Sequence, residues 1–215
     1  MKKFLLSLCC LFVAINVVKL FMPNSIPSDI SEIYKYCKQN GYSTDYCYLV
    51  DFSRHSGLDR FYIYSFKEKK IIHKSLCAQG LGPNYNIFKH EFSNKVGSNL
   101  SSLGKYRVGN IRKMYTVQWC TPRGYTVYGL EKTNSNALAR GILIHNGNPE
   151  IQTFPFPCFP VSRGCFAVSN SMMKHIEKLK KYGKKTISKM DMETVFATSS
   201  DEELFEPDKI LPEAK

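Results

Sequence analysis

The chain has 215 residues, of which 43% are hydrophobic and 13% aromatic. This apolar content supports one domain of ordinary size with short flanking pieces, and it excludes a disordered or fibrous protein. The net charge of +12 is unevenly distributed, because residues 1–25 carry +3 and residues 191–215 carry −6, which leaves +15 between them. Such an excess favours an anionic partner, although solubility alone explains it equally well.

Residues 1–25 predict an export signal. Lys2 and Lys3 precede the apolar run FLLSLCCLFVAINVV, which is the order of a charged n-region and an h-region. No clear small-x-small cleavage site follows, and Lys19 interrupts the run, so a cleaved signal peptide and a signal-anchor both stay open. We therefore expect an exported, periplasmic protein, either soluble or anchored to the inner membrane through its N-terminus. Export and the absence of a nucleic-acid-binding motif argue against a nucleic-acid partner.

Residues 26–45 predict a helical segment. Its helix runs from about Pro27 to Gly41, with Ser28 as the N-cap and an apolar stripe at helical spacing. The alternation changes to period two at Tyr46, where a run of aromatic and β-branched strands begins. The predicted strands are YCYLVDF, RFYIYSF and KIIHKSLCAQ, followed by Tyr106 onward, Met114–Trp119, Tyr125–Leu130 and Arg140–His145.

The remaining segments are a loop, a second helix and a tail. The Gly-, Asn- and Ser-rich stretch from Gly80 to Tyr106 predicts a long ordered loop. Ser169 to Tyr182 predicts a helix with one apolar and one lysine-rich face. The tail over 191–215 is acidic. These elements predict a mainly β domain over 46–190 with peripheral helices.

Six cysteines lie beyond the leader: Cys37, Cys47, Cys77, Cys120, Cys158 and Cys165. In an oxidising envelope Cys37 and Cys47 are candidates for a disulfide, but the sequence does not assign one. If one cysteine is a working thiol, the other five cannot all pair.

The segments ILIHNGNP and SRGCFAV contain the residues best suited to chemistry. A β-branched run ends in His145, and sixteen residues separate His145 from Ser162. A glycine before Cys165 permits a tight turn that exposes a nucleophile. A nearby imidazole can take the thiol proton, because a free thiol is mostly protonated at neutral pH. Backbone N–H groups of Arg163, Gly164 and Cys165 are candidates for an oxyanion hole.

Three other interpretations of these residues stay open on spacing alone. Cys165 and His145 could be buried core residues, or Cys158 and Cys165 could form a disulfide. His145, Cys158, Cys165 and His175 also have the ligand types that zinc prefers, but none of them shows a C-x-x-C or H-x-x-x-H spacing. We therefore expect no metal and no organic cofactor.

The order of a strand ending in His145, sixteen residues and then Ser162-x-Gly164-Cys165 resembles the murein L,D-transpeptidases. The segments VDFS, DRFYIYSF, FSNKVGSNLSSLGKYRVG and YGLEKTNSNALARGILIH resemble one branch of that family, and the likeness covers Tyr46 to Ile187. It implies an L,D-transpeptidase-like β-sandwich. Arg163 departs from the better-known members, which have His at this position, and it leaves substrate preference open.

The resemblance also implies roles for individual residues. Cys165 would be the nucleophile, His145 its base, and Asn146 the residue whose backbone orients the imidazole, while Ser162 would shape the turn. Arg163 and Arg140 are candidates for binding a substrate carboxylate, although a structural ion pair is the commoner role for an arginine such as Arg140.

The implied activity is acyl transfer on peptidoglycan stem peptides by a monomeric enzyme. Cys165 would form a thioester with a tetrapeptide stem and pass it to an amine, giving a 3→3 cross-link or anchoring an envelope protein. Two alternatives are a cysteine hydrolase, either an L,D-carboxypeptidase or an amidase that releases wall-bound protein, and an inactive wall-binding module.

Overall fold

The computed structural model describes residues 30–83, 91–113, 123–159, 162–183 and 194–198, together with single positions between 4 and 14. The predicted strand over Met114–Trp119 and most of the export signal lie outside the described residues. No helix in this described part of the chain is long and apolar enough to cross a membrane.

Helix α1 spans Ile30–Gln39 and packs on the first strands of the sheet. Ile33 and Cys37 are fully buried against Leu49 and Tyr62. The helix ends where Gly41 adopts a left-handed φ of 68°, and the Tyr42 N–H then bonds back to the Cys37 carbonyl at 2.8 Å. The predicted stop at Gly41 is therefore confirmed.

The described residues form nine strands, numbered here in chain order. They are β1 (Tyr46–Asp51), β2 (Phe61–Ser65), β3 (Lys70–Ser75), β4 (Cys77–Ala78), β5 (Gly104–Lys113), β6 (Arg123–Gly129), β7 (Leu143–Asn148), β8 (Phe166–Ser169) and β9 (Thr194–Thr198). Their order across the sheet is β3-β2-β1-β9-β5-β6-β7-β8-β4. The hairpin predicted between the second and third strands is present, since β2 and β3 pair antiparallel.

The two ends of this sheet meet. Strands β3 and β4 stand at opposite ends of the strand order, yet only Leu76 separates them in sequence. The Ser75 hydroxyl at the end of β3 accepts a hydrogen bond from the Ser169 N–H at the end of β8, at 3.2 Å. The sheet therefore bends back on itself around one core, and the expected mainly β, sandwich-like fold with peripheral helices is confirmed.

The core lies between the two halves of the bent sheet. Phe166 stacks on Phe52 at 5.9 Å and meets Tyr106 edge-on at 5.3 Å. Helix α2 (Asn170–Gly183) covers this core with Met172, Met173 and Ile176. Its N-terminus is capped by the Ser169 hydroxyl, which accepts the Met172 N–H at 3.2 Å.

Three parts of the chain differ from the sequence-based expectation. The segment KIIHKSLCAQ, predicted as one strand, divides at Leu76 into β3 and β4. The strand predicted over Arg140–His145 is wrong in its bounds, because consecutive turns occupy residues 132–141 and β7 begins only at Leu143. Strand β9 lies within the segment predicted to be an acidic tail, and it pairs parallel with β1 and antiparallel with β5. The sheet thus continues past residue 190.

Candidate active site

His145 lies on β7, and Cys165 directly precedes β8, the strand that pairs with β7. The two strands are parallel neighbours, with Ile144 opposite Phe166 and His145 opposite Ala167. Ile144 and Phe166 belong to the core, so side-chain alternation directs His145 and its partner Ala167 to the other face, and Cys165 lies two residues before Ala167. The Cα atoms of His145 and Cys165 are about 8 Å apart from strand spacing and rise. The thiol and the imidazole can therefore approach each other through their side chains.

His145 is held in one ring orientation. Its Nδ1 lies 2.5 Å from the Asn146 carbonyl oxygen, so Nδ1 carries the proton and Nε2 is the basic nitrogen. Burial lowers the pKa of His145 below its usual 6.5, and the hydrogen bond to Asn146 opposes this only in part. The imidazole is therefore neutral at pH 7, as a general base must be.

The neighbouring residues fix the position of His145. The Asn146 side chain donates a hydrogen bond to the Asn170 carboxamide at the start of α2. On the other side, β6 passes so close that a Cβ at Gly124 would lie 3.1 Å from the His145 Cβ. A glycine at position 124 therefore lets β6 and β7 pair without displacing the histidine.

Cys165 follows a tight turn that begins at Ser162. Gly164 has a φ of 112°, a backbone conformation that residues with a Cβ rarely adopt. The Ser162 hydroxyl accepts the Gly164 N–H at 3.2 Å and donates to the Cys165 carbonyl at 2.7 Å. Cys165 is partly exposed, and its Sγ lies 3.9 Å from the Gly141 carbonyl oxygen. Ser162 thus holds both ends of the turn that presents the thiol.

The same hydrogen bond changes the expectation for the oxyanion hole. The Gly164 N–H is engaged by Ser162 and faces the backbone of Gly80. It is therefore not available to a developing oxyanion, and the backbone N–H groups of Arg163 and Cys165 are the ones that stay candidates.

Ser101 links the turn that precedes Cys165 to the backbone of Gly80 through two hydrogen bonds. It is fully buried, accepts the Gly80 N–H at 3.0 Å and donates to the Gly164 carbonyl at 3.2 Å. The Gly80 backbone packs so tightly here that a Cβ would lie 2.1 Å from the Asn99 carbonyl and 2.4 Å from the Gly164 nitrogen. The position of Cys165 thus depends on three chain segments.

Arg140 and Arg163, the two predicted carboxylate ligands, have different surroundings. Arg163 is exposed beside Cys165. Arg140 turns inward and donates to the Ser93 carbonyl at 2.7 Å and to the Leu100 carbonyl. The Arg140 guanidinium is therefore committed to the loop over 93–102, whereas the Arg163 side chain stays accessible to a substrate.

Cys37, Cys47, Cys77 and Cys158 are buried thiols, whereas Cys10 is exposed. Burial raises the pKa of Cys47 well above its ordinary value, that of Cys77 to about 12 and that of Cys158 to about 11. The structure contains neither the Cys37–Cys47 nor the Cys158–Cys165 disulfide. Within the described residues no group of three or more His, Cys, Asp or Glu side chains could hold a metal ion.

Several residues of the site carry no clear signal in the sequence. Ser101 lies in a segment that resembles the family but had no assigned role, and the part played by Gly80, Gly124 and the Gly141 carbonyl was not predicted. A glycine within or beside a strand is the local signal at such positions, and it marks a close backbone approach without identifying the neighbouring residue.

The fold and the site define a mainly β domain in which a histidine on one strand lies near a cysteine that directly precedes the neighbouring strand. The model of the L,D-transpeptidase catalytic domain matches residues 23–187. Since this match covers well over half of the chain, the protein belongs to the L,D-transpeptidase catalytic domain family.

Among solved structures, the chain is similar to the helical cell shape determining protein Pgp2 from Campylobacter jejuni. The two share 14% identity over 81% of this chain and 56% of that chain, with a TM-score of 0.40. A mutant of the same Campylobacter protein gives 15% identity over 76% of this chain and 50% of that one, with a TM-score of 0.42. The chain thus spans about half the length of these structures. No curated protein matches it.

Proposed function

We propose that this protein is a peptidoglycan L,D-transpeptidase of the cell envelope that uses Cys165 as its nucleophile and His145 as its base. The observation that supports the proposal is the parallel pairing of His145 with Ala167, two residues after Cys165, together with the bond of the His145 Nδ1 to the Asn146 carbonyl. The family match supports the reaction class.

In the first half of the reaction, Nε2 of His145 takes the Cys165 proton. The thiolate then attacks the carbonyl of the third, diamino residue of a tetrapeptide stem, and a C–S bond forms. As the tetrahedral intermediate collapses, the C–N bond to the terminal D-alanine breaks. The imidazolium returns its proton to the departing amine, which leaves a thioester on Cys165.

In the second half, an amine replaces the sulfur. His145 takes a proton from the attacking amine of a second stem peptide, the C–S bond breaks, and a 3→3 cross-link forms. The backbone N–H groups of Arg163 and Cys165 would stabilise the oxyanion in both halves. The exposed guanidinium of Arg163 would bind a carboxylate of the stem peptide.

The acceptor decides between transfer and hydrolysis. Water at the thioester gives an L,D-carboxypeptidase, and an amine of an envelope protein gives covalent anchoring of that protein. These outcomes share the same nucleophile and base and differ only in the access of the acceptor.

The products of purified disaccharide-tetrapeptide separate these outcomes. We expect a cross-linked dimer that has lost one D-alanine, detected by mass, and no product with Cys165→Ala. A trimmed tripeptide monomer alone would assign the protein as a hydrolase. No product with folded wild-type protein would contradict the proposed enzyme and favour a wall-binding module.

A further inference from the structure

The surroundings of Arg140 point to a role other than binding a substrate carboxylate. Its guanidinium makes four hydrogen bonds to one loop, of which those to the Ser93 and Leu100 carbonyls are the shortest. The other two go to the hydroxyls of Ser102 at 3.3 Å and Ser98 at 3.4 Å. Each acceptor is neutral, so these bonds orient the guanidinium without cancelling its charge.

The nearby charged and titratable groups do not neutralise Arg140. Within the part of the chain that the structure describes, no carboxylate forms an ion pair with it. The Glu131 carboxylate forms an ion pair with the Lys105 ammonium group and accepts a hydrogen bond from the Lys105 backbone N–H. The Tyr106 hydroxyl bonds to Ser102, and burial raises the pKa of Tyr106 far above neutrality, so the phenol carries no charge.

The guanidinium lies directly behind the cysteine turn. A Cβ placed on Gly164 would lie 3.1 Å from Nη2 of Arg140 and 2.9 Å from the Leu100 carbonyl that Arg140 binds. The next residue, Gly141, contacts Sγ of Cys165 through its carbonyl at 3.9 Å. Burial lowers the pKa of Arg140, and the electrostatic influences of Tyr106 and then Cys165 oppose this in part.

We propose that Arg140 is the positioning residue of the nucleophile, which holds the 93–102 loop against the Cys165 turn and supplies the positive charge that stabilises the Cys165 thiolate. The inference rests on the proposed role of Cys165 as the nucleophile.

Two other groups act on the same thiol. His145 lies on the neighbouring strand and is neutral at pH 7, and Arg163 lies next to Cys165 but is exposed to solvent, which screens its charge.

The charge is tested by the rate at which iodoacetamide alkylates Cys165 as a function of pH, followed by peptide mass spectrometry. With Arg140→Gln we expect the midpoint of the profile to rise by about one unit and the rate at pH 7 to fall roughly 5- to 10-fold. Arg140→Lys keeps the charge and should stay within about 0.3 units of wild type. Arg112→Gln removes the same charge from an exposed site and should leave the midpoint unchanged.

The positioning role is tested by steady-state kinetics on the tetrapeptide. Lysine cannot bridge the Ser93 and Leu100 carbonyls as a guanidinium does, so Arg140→Lys should lower kcat roughly 10-fold with KM within about twofold. An unchanged midpoint in Arg140→Gln, or an equal rise in Arg140→Lys, overturns the electrostatic role. An unchanged kcat in Arg140→Lys overturns the positioning role. Because alkylation does not require turnover, loss of the proposed function would leave the midpoint comparison intact.

Discussion

Among the residues that the structure describes, Cys165 and the buried cysteines differ in what surrounds the sulfur. Cys77 and Cys158 are almost completely buried, and the pKa values of their thiols rise to about 12 and 11. Cys165 is partly exposed at the end of a turn that hydroxyl groups and backbone hold in place. The charged form of a thiol is costly in an apolar site, so the buried thiols stay protonated.

The difference shows how the fold distributes reactivity among chemically identical groups. The buried cysteines act as small apolar side chains. Cys165 has a neutral imidazole on the neighbouring strand and a guanidinium behind its turn. Reactivity at Cys165 should therefore depend on polar neighbours, and the inertness of the others should depend on packing.

The largest expected effect separates the two kinds of cysteine directly. Cys165→Ala should reduce transfer by at least about 10³-fold, because no other group can form the thioester. Cys158→Ala should keep activity within about threefold, since its sulfur only fills space beside Leu76 and Ala167. Dimer formation by both purified variants measures this, and an active Cys165→Ala enzyme would contradict the assignment.

Removing the base should have the next largest effect. His145→Gln should lower kcat/KM about 10²- to 10³-fold, because the Cys165 proton then has no acceptor in the site. In the wild type, activity should rise with pH through the pKa of His145, which burial places below 6.5. The kcat/KM profile from pH 4.5 to 8 checks this, and a profile with no acid limb below pH 6.5 would argue against His145 as the base.

The packing behind the cysteine turn gives the third prediction. A methyl group on Gly80 would strike two backbone atoms that cannot move aside, so Gly80→Ala should cost about 2–3 kcal/mol of unfolding free energy. It should also lower kcat about 10²-fold by displacing Cys165. Gly41→Ala is the control, because φ there is also positive but the space is open. Gly41→Ala should cost about 1 kcal/mol and leave kcat unchanged; equal losses of kcat in both variants would refute the role of the turn.

The smallest expected effect concerns His73 and His175, which should influence the stability of the fold but not the reactivity of Cys165. His73 on β3 stacks on His175 of α2 at 3.5 Å, and burial, His175 and Lys178 lower the pKa of His73 below 6.5. As pH falls below 6.5, His73 therefore takes up a proton in the unfolded chain before it does so in the folded protein. The free energy of unfolding consequently decreases as the solution becomes more acidic. His73→Gln should reduce the drop in Tm between pH 7 and 5 by about 1–3 °C without moving the alkylation midpoint of Cys165. If the drop in Tm is unchanged in His73→Gln, His73 does not contribute to the loss of stability at low pH.

The local elements could be predicted from the sequence because they follow from nearby residues. Alternating aromatic and β-branched residues mark β1 to β3, and the Met172, Met173 and Ile176 stripe marks α2. The short strand β8 and strand β9 could not be predicted, because their pairing depends on partners more than twenty residues away. The turns over 132–141 occupy the start of a predicted strand for the same reason.

For the site, the sequence pointed to His145 and Cys165 through their flanking residues, but it did not contain the contacts that hold them. The engagement of the Gly164 N–H by Ser162 and the inward turn of Arg140 arise when distant loops meet. Such contacts have no periodicity or spacing from which they could be read.

The most direct test of the central claim is to trap the acyl-enzyme and locate it. A carbapenem, which can acylate cysteines of this kind, is incubated with the folded protein, and the intact mass and the digested peptides are then measured. We expect a single adduct on the peptide that contains Cys165, and none with Cys165→Ala. An adduct on Cys37, Cys47, Cys77 or Cys158 that persists in Cys165→Ala, or no adduct on the wild type, would contradict it.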